Sequence, residues 1–582
     1  MHEDGGSVVL SAPQMIFRMG IMIGVGLLVG FGTGFLGLDT RQAASCAVFV
    51  SIIMGTLFFW NFRLAIAFLG LAVLIFTNSL TIGAFIVASE LNVILFLVGM
   101  MVVVGALRDL GFFTWVVQLI VSMRNLTGKK FIAVTAVCSA LLACAVDEVT
   151  SIIFISTLIF QVCDRLKLNP TPYIIICVFA TNVGSAGTMM GNPVGILIGS
   201  KAGLSFFDFI IWAFPIMLLA LALVVAMTMW FYRHELEKFD VSMKERLSRN
   251  LSLVPKIDVP YKRGLLLLVV TIMLIASHSF LESLFHLEKN SILMIAPLIC
   301  SGIVMILRRD RARYYIEHEV DWWTLLFFML LFAVAGTLEF THVDKIMANE
   351  FSAICGTNPI TLIPLILTVS AIGSAFVDNV IFVAAFCPVI SKLAVSLNDL
   401  PLWWALLFGA CFGGNITMIG STANIVALGM LEKRAHVHMS FFHWLKIGVT
   451  TTLVAGGVAC LALYALTPFM PDRYSRIGYA DFDENTIPIV NKSAIVNAIH
   501  SDAAPDLSHT PKGYSAVTLQ MTDGGRPPIR FTAYLPDPAM LKKIESTDGQ
   551  LYYKGKLWHT GTGAEYPAYM VVEEVLDEPP RH

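Results

Sequence analysis

Two short acidic stretches lie inside long apolar sequence: AVDEVTSIIFIS, which carries Asp147 and Glu148, and FVDNVIFVAAF, which carries Asp378 and Asn379. A carboxylate at membrane depth is costly unless it faces water, an ion or a partner, so such residues mark a functional site by default. Each stretch is followed by a segment rich in Gly, Asn and Thr, namely TNVGSAGTMMGNPVGIL (181–197) and GGNITMIGSTANIVAL (413–428). Glycine lets a helix unwind and frees backbone carbonyls, while Thr188, Asn192, Thr417, Ser421 and Asn424 offer small oxygen ligands. Carboxylate, hydroxyl, amide and carbonyl oxygens brought together suit a hard cation such as sodium, or a proton. The plainer readings are that each Asp caps a helix and that Gly and Thr serve close helix packing. The repetition of both features in both halves favours the site over either alone.

The repetition has a register. Asp378 follows Asp147 by 231 residues, as Asp321 follows Glu90, and Gly420 follows Gly191 by 229. One duplication therefore covers residues 87–233 and 318–464. Repeated, interrupted hydrophobic segments are the sequence mark of a secondary transporter with a midplane site.

The elements that position these residues must be membrane helices. Of 582 residues 57% are hydrophobic and 14% charged, and the mean hydropathy is +0.76, which requires that most of the chain be dissolved in lipid. A net charge of -2 gives no basic field for nucleic acid. Ten cysteines between residues 46 and 460 lack metal-type spacing and read as packing residues. The N-terminus carries no evident cleaved signal. No G-x-x-x-x-G-K-S/T loop occurs, which argues against ATP-driven pumping.

Spanning segments are expected at 15–36, 43–60, 63–86, 90–107, 173–200, 206–232, 264–282, 287–307, 321–338, 401–430 and 440–468. Residues 131–162 and 359–393 read as hairpins that enter and leave on one side, tolerable only where protein or a watery cavity receives them. The segment 112–123 is too short to span and is expected along the interface. Lys and Arg collect in the 233–263 linker and in RRDRAR, which places these loops inside. The two repeats then run in opposite senses, giving about eleven crossings with the N-terminus in and the C-terminus out. His278 and His286 are expected at an outer helix end, Glu339 as a solvated boundary residue, and Trp322, Trp323, Trp403 and Trp404 as interfacial anchors. Beyond Pro471 runs such as YSAVTLQMT, PIRFTAYL and PAYMVVEEVL, with the turn DGGRPP, predict a small β-rich soluble domain.

DEVTSIIFISTLIF and DNVIFVAAFCPVI, with GTMMGNPVGILIG and NITMIGSTANIVAL, resemble the ion transporter superfamily, most closely its arsenite-permease and NhaD-type sodium/proton antiporter branch, which has a citrate-transporter-like membrane domain. The resemblance covers residues 60–468. It implies two inverted repeats, each with a re-entrant hairpin and a discontinuous helix, a homodimer, and an elevator-like movement. It also implies an ion and substrate site at Asp147, Glu148 and Thr150 with Gly187, Thr188, Gly191 and Asn192, and at Asp378 and Asn379 with Thr417, Gly420, Ser421 and Asn424. Asn182 and Asn415, in the same stretches, complete the candidate set, and Asp147, Glu148, Asp378 and Asn379 are the candidate sodium ligands. The first tip reads Asp-Glu where relatives commonly read Asp-Asn or Ser-Asn. Three carboxylates near one cavity repel an anion and suit exchange of sodium or lithium for protons.

The expectation is thus an all-α polytopic protein of the plasma (inner) membrane, not an enzyme, with no cofactor beyond transported sodium ions and protons. Its partners are the lipid bilayer and small inorganic ions or small anions. The alternative is a sodium-coupled di- or tricarboxylate carrier or an arsenite-type permease. The expected domains are 1–86, repeat 1 at 87–233, a cytoplasmic linker at 234–263, connecting helices at 264–317, repeat 2 at 318–470 and an extracytoplasmic domain at 471–582.

Overall fold

The computed structural model describes residues 12–35, 37–123, 126–248, 260–285, 287, 290–344, 346–347, 359–393, 400–435, 439–470, 492–501, 515–521, 529–535, 537–545, 551–559 and 568–576. His286, linker residues 249–259 and the DGGRPP turn lie outside them. The chain divides into two compact units, Met1–Ser391 with Pro401–Phe469, and Lys392–Leu400 with Met470–His582.

The first unit is helical. Among the described residues eight helices are long and apolar enough to cross a membrane, or nine if one bent pair counts as a single span. That bent pair is Lys262–Ala276 and His278–Phe285, which meet at 56° where a single straight span was expected. His278 sits at the bend and is buried, its Nδ1 2.8 Å from the Ile275 carbonyl and its Nε2 3.1 Å from Ser279 Oγ, so it is a packing residue rather than an interfacial one. The expected 63–86 span is also interrupted, into Arg63–Phe76 and Ile82–Ala88. Asn78 adopts a left-handed backbone there, and Thr81 caps the second piece through Ala84 N. Residues 112–123 hold only the short helix Phe112–Val121.

The break at Asp147 is a fold-back and not a kink. Ser151 Oγ donates to the Ser139 carbonyl at 2.7 Å, a contact between residues that a continuous helix would hold roughly 18 Å apart. Gly128–Ala145 and Glu148–Leu166 are therefore the antiparallel arms of hairpin 1. In hairpin 2, formed by Pro359–Phe376 and Asn379–Leu393, the Phe382 ring lies directly over Gly373 across the tip.

The expected breaks in 173–200 and 401–430 are present. Broken helix 1 comprises Thr171–Gly184 and Pro193–Ala202, and broken helix 2 comprises Leu400–Gly413 and Thr422–Ala435. Pro193 starts its half helix at the position where a missing N–H costs nothing. Each broken helix lies against the first arm of its own hairpin with no room between. A Cβ on Gly184 would fall 2.5 Å from Ala140 Cα, and one on Gly413 2.5 Å from Ala371 Cα. Gly184→Val is accordingly expected to force the arm and the helix apart and to lower stability by about 2–3 kcal/mol or more, measured as an earlier thermal transition of the detergent-solubilised protein.

Two further features differ from expectation. Trp403 and Trp404 are 1% and 0% exposed, inside broken helix 2, whereas Trp322 and Trp323 are exposed. Trp404 packs edge-on against Phe209 at 4.9 Å, so tryptophan here serves the core as well as the boundary. The linker begins with a helix, Arg233–Ser248, seated on the ends of hairpin 1 and broken helix 1. Asp240 accepts from Gly128 N at 2.6 Å, Tyr173 OH donates to the Glu235 carbonyl at 2.9 Å, and Phe239 stacks on Phe131.

The second unit carries a closed five-stranded barrel, in the order β1-β2-β3-β5-β4. The strands are β1 (Lys492–Ser501), β2 (Ser515–Met521), β3 (Ile529–Leu535), β4 (Leu551–His559) and β5 (Ala568–Leu576). β3 and β5 pair in parallel and every other pair is antiparallel, with helix Pro538–Glu545 between β3 and β4. This is the Greek-key barrel of the oligonucleotide- and oligosaccharide-binding type, in which closure removes exposed strand edges. Val517 and Leu519, Ala533 and Leu535, and Leu551 and Tyr553 fill it at every second position.

Candidate functional site

Four helix N-termini meet at the site, and each is capped by a residue of the two signatures. Asp147 Oδ1 accepts from Thr150 N at 2.8 Å, and Asp378 Oδ1 accepts from Val380 N at 3.0 Å. Asn192 Oδ1 accepts from Gly195 N at 2.9 Å, and Ser421 Oγ from Ala423 N at 3.1 Å. Capping is thus realised for both aspartates. Each of these bonds uses one carboxylate oxygen. Asp378 Oδ2 accepts from the Thr422 hydroxyl at 3.0 Å, which ties tip 2 to broken helix 2.

The threonines fasten each hairpin to its own broken helix. Thr188 Oγ1 donates to the Cys144 carbonyl at 2.5 Å, and Thr417 Oγ1 donates to the Ala375 carbonyl. These are equivalent positions in the two repeats. Cys144 Sγ adds a contact to the Gly184 carbonyl at 2.9 Å, so this cysteine does more than fill space.

Contacts between the repeats are reciprocal. Ser421 Oγ donates to Asn182 Oδ1 at 3.0 Å, and Asn192 Nδ2 donates to Cys411 Sγ at 3.1 Å. Residues 182 and 411 are equivalent, as are 192 and 421, so position A of one repeat meets position B of the other and the reverse. Such exchange is the mark of two-fold symmetry. Asn182 goes further, its amide donating to Asn415 Oδ1 at 2.8 Å and Asn424 Oδ1 at 2.9 Å. Asn424 in turn donates to the Gly414 and Thr417 carbonyls, and Trp444 Nε1 holds the Asn415 carbonyl. Gly187, Gly191 and Gly420 are close-packing positions in the breaks, where an added Cβ would strike Met217, Ser185 and Gly414 respectively.

The symmetry fails at the tips, and there the chemistry differs. Asn379 begins the second arm of hairpin 2 and is buried. Its equivalent, Glu148, is 5% exposed; its Oε1 is 3.4 Å from the Ser421 hydroxyl, its Oε2 has no close hydrogen-bond partner among the described residues, and the Ser185 and Asn192 side chains stand near enough to stabilise its charge. Asp378 and Asp147 both lie within electrostatic reach of it. The amide of Asn415 is likewise buried without an acceptor. An unpaired donor and an unpaired carboxylate oxygen in one polar network are what a site looks like when part of its bonding is left for a ligand. Among the described residues no group of three His, Cys, Asp or Glu side chains is arranged to hold a metal ion. An alkali cation here would draw on hydroxyl, amide and carbonyl oxygens beside a carboxylate.

All fifteen candidate positions thus lie on the two tips and two breaks. The sequence reading missed Ser139, Thr181, Ser185, Cys411 and Thr422. Ser139 and Thr181 bond each other at 2.6 Å, and Asn192 donates to Ser185 Oγ at 3.0 Å. The signal for Cys411 was its equivalence to Asn182 at the 229-residue spacing. Another ion pair crosses between a broken helix and the neighbouring helices: Lys201 Nζ lies 2.5 Å from Glu90 Oε1, and Glu90 holds a left-handed backbone at φ 49°.

Comparison with known proteins identifies the family. The model of the citrate transporter family, CitMHS, matches residues 49–409 and 343–543. An uncharacterized transporter of Mycobacterium tuberculosis is 31% identical over 369 residues, covering 62% of this chain and 83% of that protein. The human P protein is 26% identical over 444 residues, 63% of this chain and 53% of its own length. The solved Alcanivorax borkumensis YdaH transporter aligns with 69% of this chain and 90% of its own at a TM-score of 0.46 and 15% identity. The chain belongs to the citrate transporter family, within the ion transporter superfamily, and is an integral membrane secondary transporter.

Proposed function

We propose that this chain exchanges sodium or lithium for protons across the plasma (inner) membrane, with the hairpins and broken helices carrying the site past the remaining helices in an elevator-like movement. The observation that carries the reading is Glu148, a buried carboxylate with one free oxygen, beside Asp378 and Asp147. Like charges held close repel one another, and a bound proton or alkali cation relieves that repulsion. Binding one and releasing the other is exchange. Asp147, Glu148, Asp378 and Asn379 are the proposed sodium ligands, with Asn182, Thr188, Asn192, Asn415, Thr417, Ser421 and Asn424 ordering them. A cytoplasmic N-terminus and an extracytoplasmic C-terminal barrel fit the placement of Lys and Arg in the loops, and a homodimer is proposed on the resemblance alone.

The second reading is cation-coupled import of a small di- or tricarboxylate. The description of the family favours it, as does the meeting of four helix N-termini, whose dipoles attract anions. Proteoliposomes with an internal pH reporter, given imposed sodium, lithium or potassium gradients, separate the two. Sodium- or lithium-driven proton movement without added carboxylate is the expected result. Active protein that moves protons only when citrate is supplied would replace the first reading with the second.

A further inference from the structure

Lys201 carries the charge of broken helix 1, in the last turn of Pro193–Ala202, and its ammonium stands 2.5 Å from Glu90 Oε1. Glu90 precedes helix Leu91–Asp109, which belongs to neither a hairpin nor a broken helix. That helix is fastened to others outside them. A Cβ on Gly99 would fall 2.8 Å from the Pro297 carbonyl carbon, Arg108 pairs with Glu319 at 3.0 Å, and Arg311 pairs with Asp109 at 2.7 Å. The turn before Glu90 is held as closely, since a Cβ on Gly336 would strike Ala88 Cβ. The ion pair therefore joins the body that carries the candidate site to the helices around it.

Two comparisons between the repeats distinguish this pair from an ordinary surface contact. Glu90 and Asp321 are equivalent, and each precedes a 19-residue helix. Asp321 has an ordinary backbone at φ -82° and caps its own helix through Thr324 N at 3.2 Å. Glu90 leaves its helix without a side-chain cap, holds a left-handed backbone at φ 49°, and turns its carboxylate to Lys201. An unused cap and a left-handed non-glycine residue both cost stability, and the contact with Lys201 is what that geometry achieves. The second comparison concerns the helix ends. The last turn of broken helix 2 carries Lys433 and Arg434, and Arg434 lies over the Phe160 ring at 5.1 Å and 3.9 Å from Asp164, both in hairpin 1. That end is tied within the body that carries the site, whereas the Lys201 end is tied outside it.

We propose that Lys201 and Glu90 are positioning residues for transport, a latch that holds the hairpins and broken helices at one end of their travel and makes departure from it the slow step of the cycle. The proposal rests on the elevator-like movement and holds for either transported species. Displacement along Leu91–Asp109 by a single helical turn, about 5 Å, separates the two charges. The carboxylate side chain is 11% exposed and the ammonium side chain 36%, so water and salt screen the attraction only in part. Because the latch forms in one repeat and not in the other, it favours one end state over its opposite.

The test follows proton flux by full-length protein in proteoliposomes under an imposed sodium gradient, with and without citrate. Lys201→Met and Glu90→Gln are each expected to raise the maximal rate about fivefold, the scale of one partly exposed ion pair, and the exchanged pair, Glu90→Lys with Lys201→Glu, to return it toward wild type. A packing role would lower the rate in all three. Unchanged or lower rates in the single variants, or an exchanged pair as fast as they are, overturn the latch. A second arm bridges Glu90→Cys with Lys201→Cys by a reducible bis-thiosulfonate reagent, with wild type treated alike as the control for native cysteines. Flux is expected to stop on bridging and to return on reduction. Bridged protein that keeps its flux overturns the elevator-like movement and the latch together, whereas flux that stops on bridging but is indifferent to the charge variants overturns the latch alone.

Discussion

Glu148→Gln is expected to abolish cation-driven proton movement, lowering it at least a hundredfold, while leaving the protein folded and inserted. Gln keeps the size of Glu and an oxygen for the Ser421 hydroxyl, so the hydrogen-bond network around Asn182 persists. It removes a charged group whose unpaired oxygen, Oε2, can take either a proton or an ion. Removing a like charge next to Asp378 also relieves repulsion, so thermal stability is expected to hold or rise, unlike the loss that follows a broken network. The check is paired: pH-reporter flux in proteoliposomes and a thermal transition in detergent, from the same preparation. Asp147→Asn is expected to be milder, since Asn preserves the cap on Thr150 N. Full proton flux in the Glu148→Gln variant would remove Glu148 from the coupling role and leave Asp378 as the next carboxylate to test.

The acids were legible in the sequence because a charge stands out in apolar surroundings, and the repeats were legible because the 231- and 229-residue spacings survive as integers. The same rule applied to bases would have found Arg63, which stands alone between two apolar segments in WNFRLAIAF. A cation at a helix end ordinarily reaches the interface, so the sequence alone does not mark it as buried. Here Trp60 and Phe327 enclose it, and Phe327 comes from a helix more than 250 residues away in the chain. Trp403 and Trp404 were misplaced for a related reason. Tryptophan is enriched at the membrane boundary, and only tertiary packing shows that these two lie inside. The barrel strands were visible as alternating runs, but the parallel β3–β5 pair that closes the barrel joins segments far apart in sequence and has no local signature. The bend at Ser277 was hidden as well, because an apolar run of spanning length reads the same whether straight or bent.

Reciprocal pairing has the same non-local character and supports the second large prediction. Asn182→Ala is expected to lower stability by about 3–5 kcal/mol and transport by at least tenfold. Asn182 donates to Asn415 and Asn424 and accepts from Ser421, so truncation strands two buried amide oxygens and a hydroxyl at once. Burial leaves no solvent to replace the lost partners. The symmetric contact offers an internal control. Asn192→Ala acts on the symmetry-related contact: it removes a weaker bond to Cys411 Sγ, together with a bond to Ser185 and the cap on Gly195 N. If the Asn182 network joins the two broken helices into one body, the double variant will cost less than the two single losses added together, because either one already loosens that junction. A thermodynamic cycle from thermal or denaturant unfolding of the four proteins measures that difference, and strict additivity would mean that the two junctions hold independently.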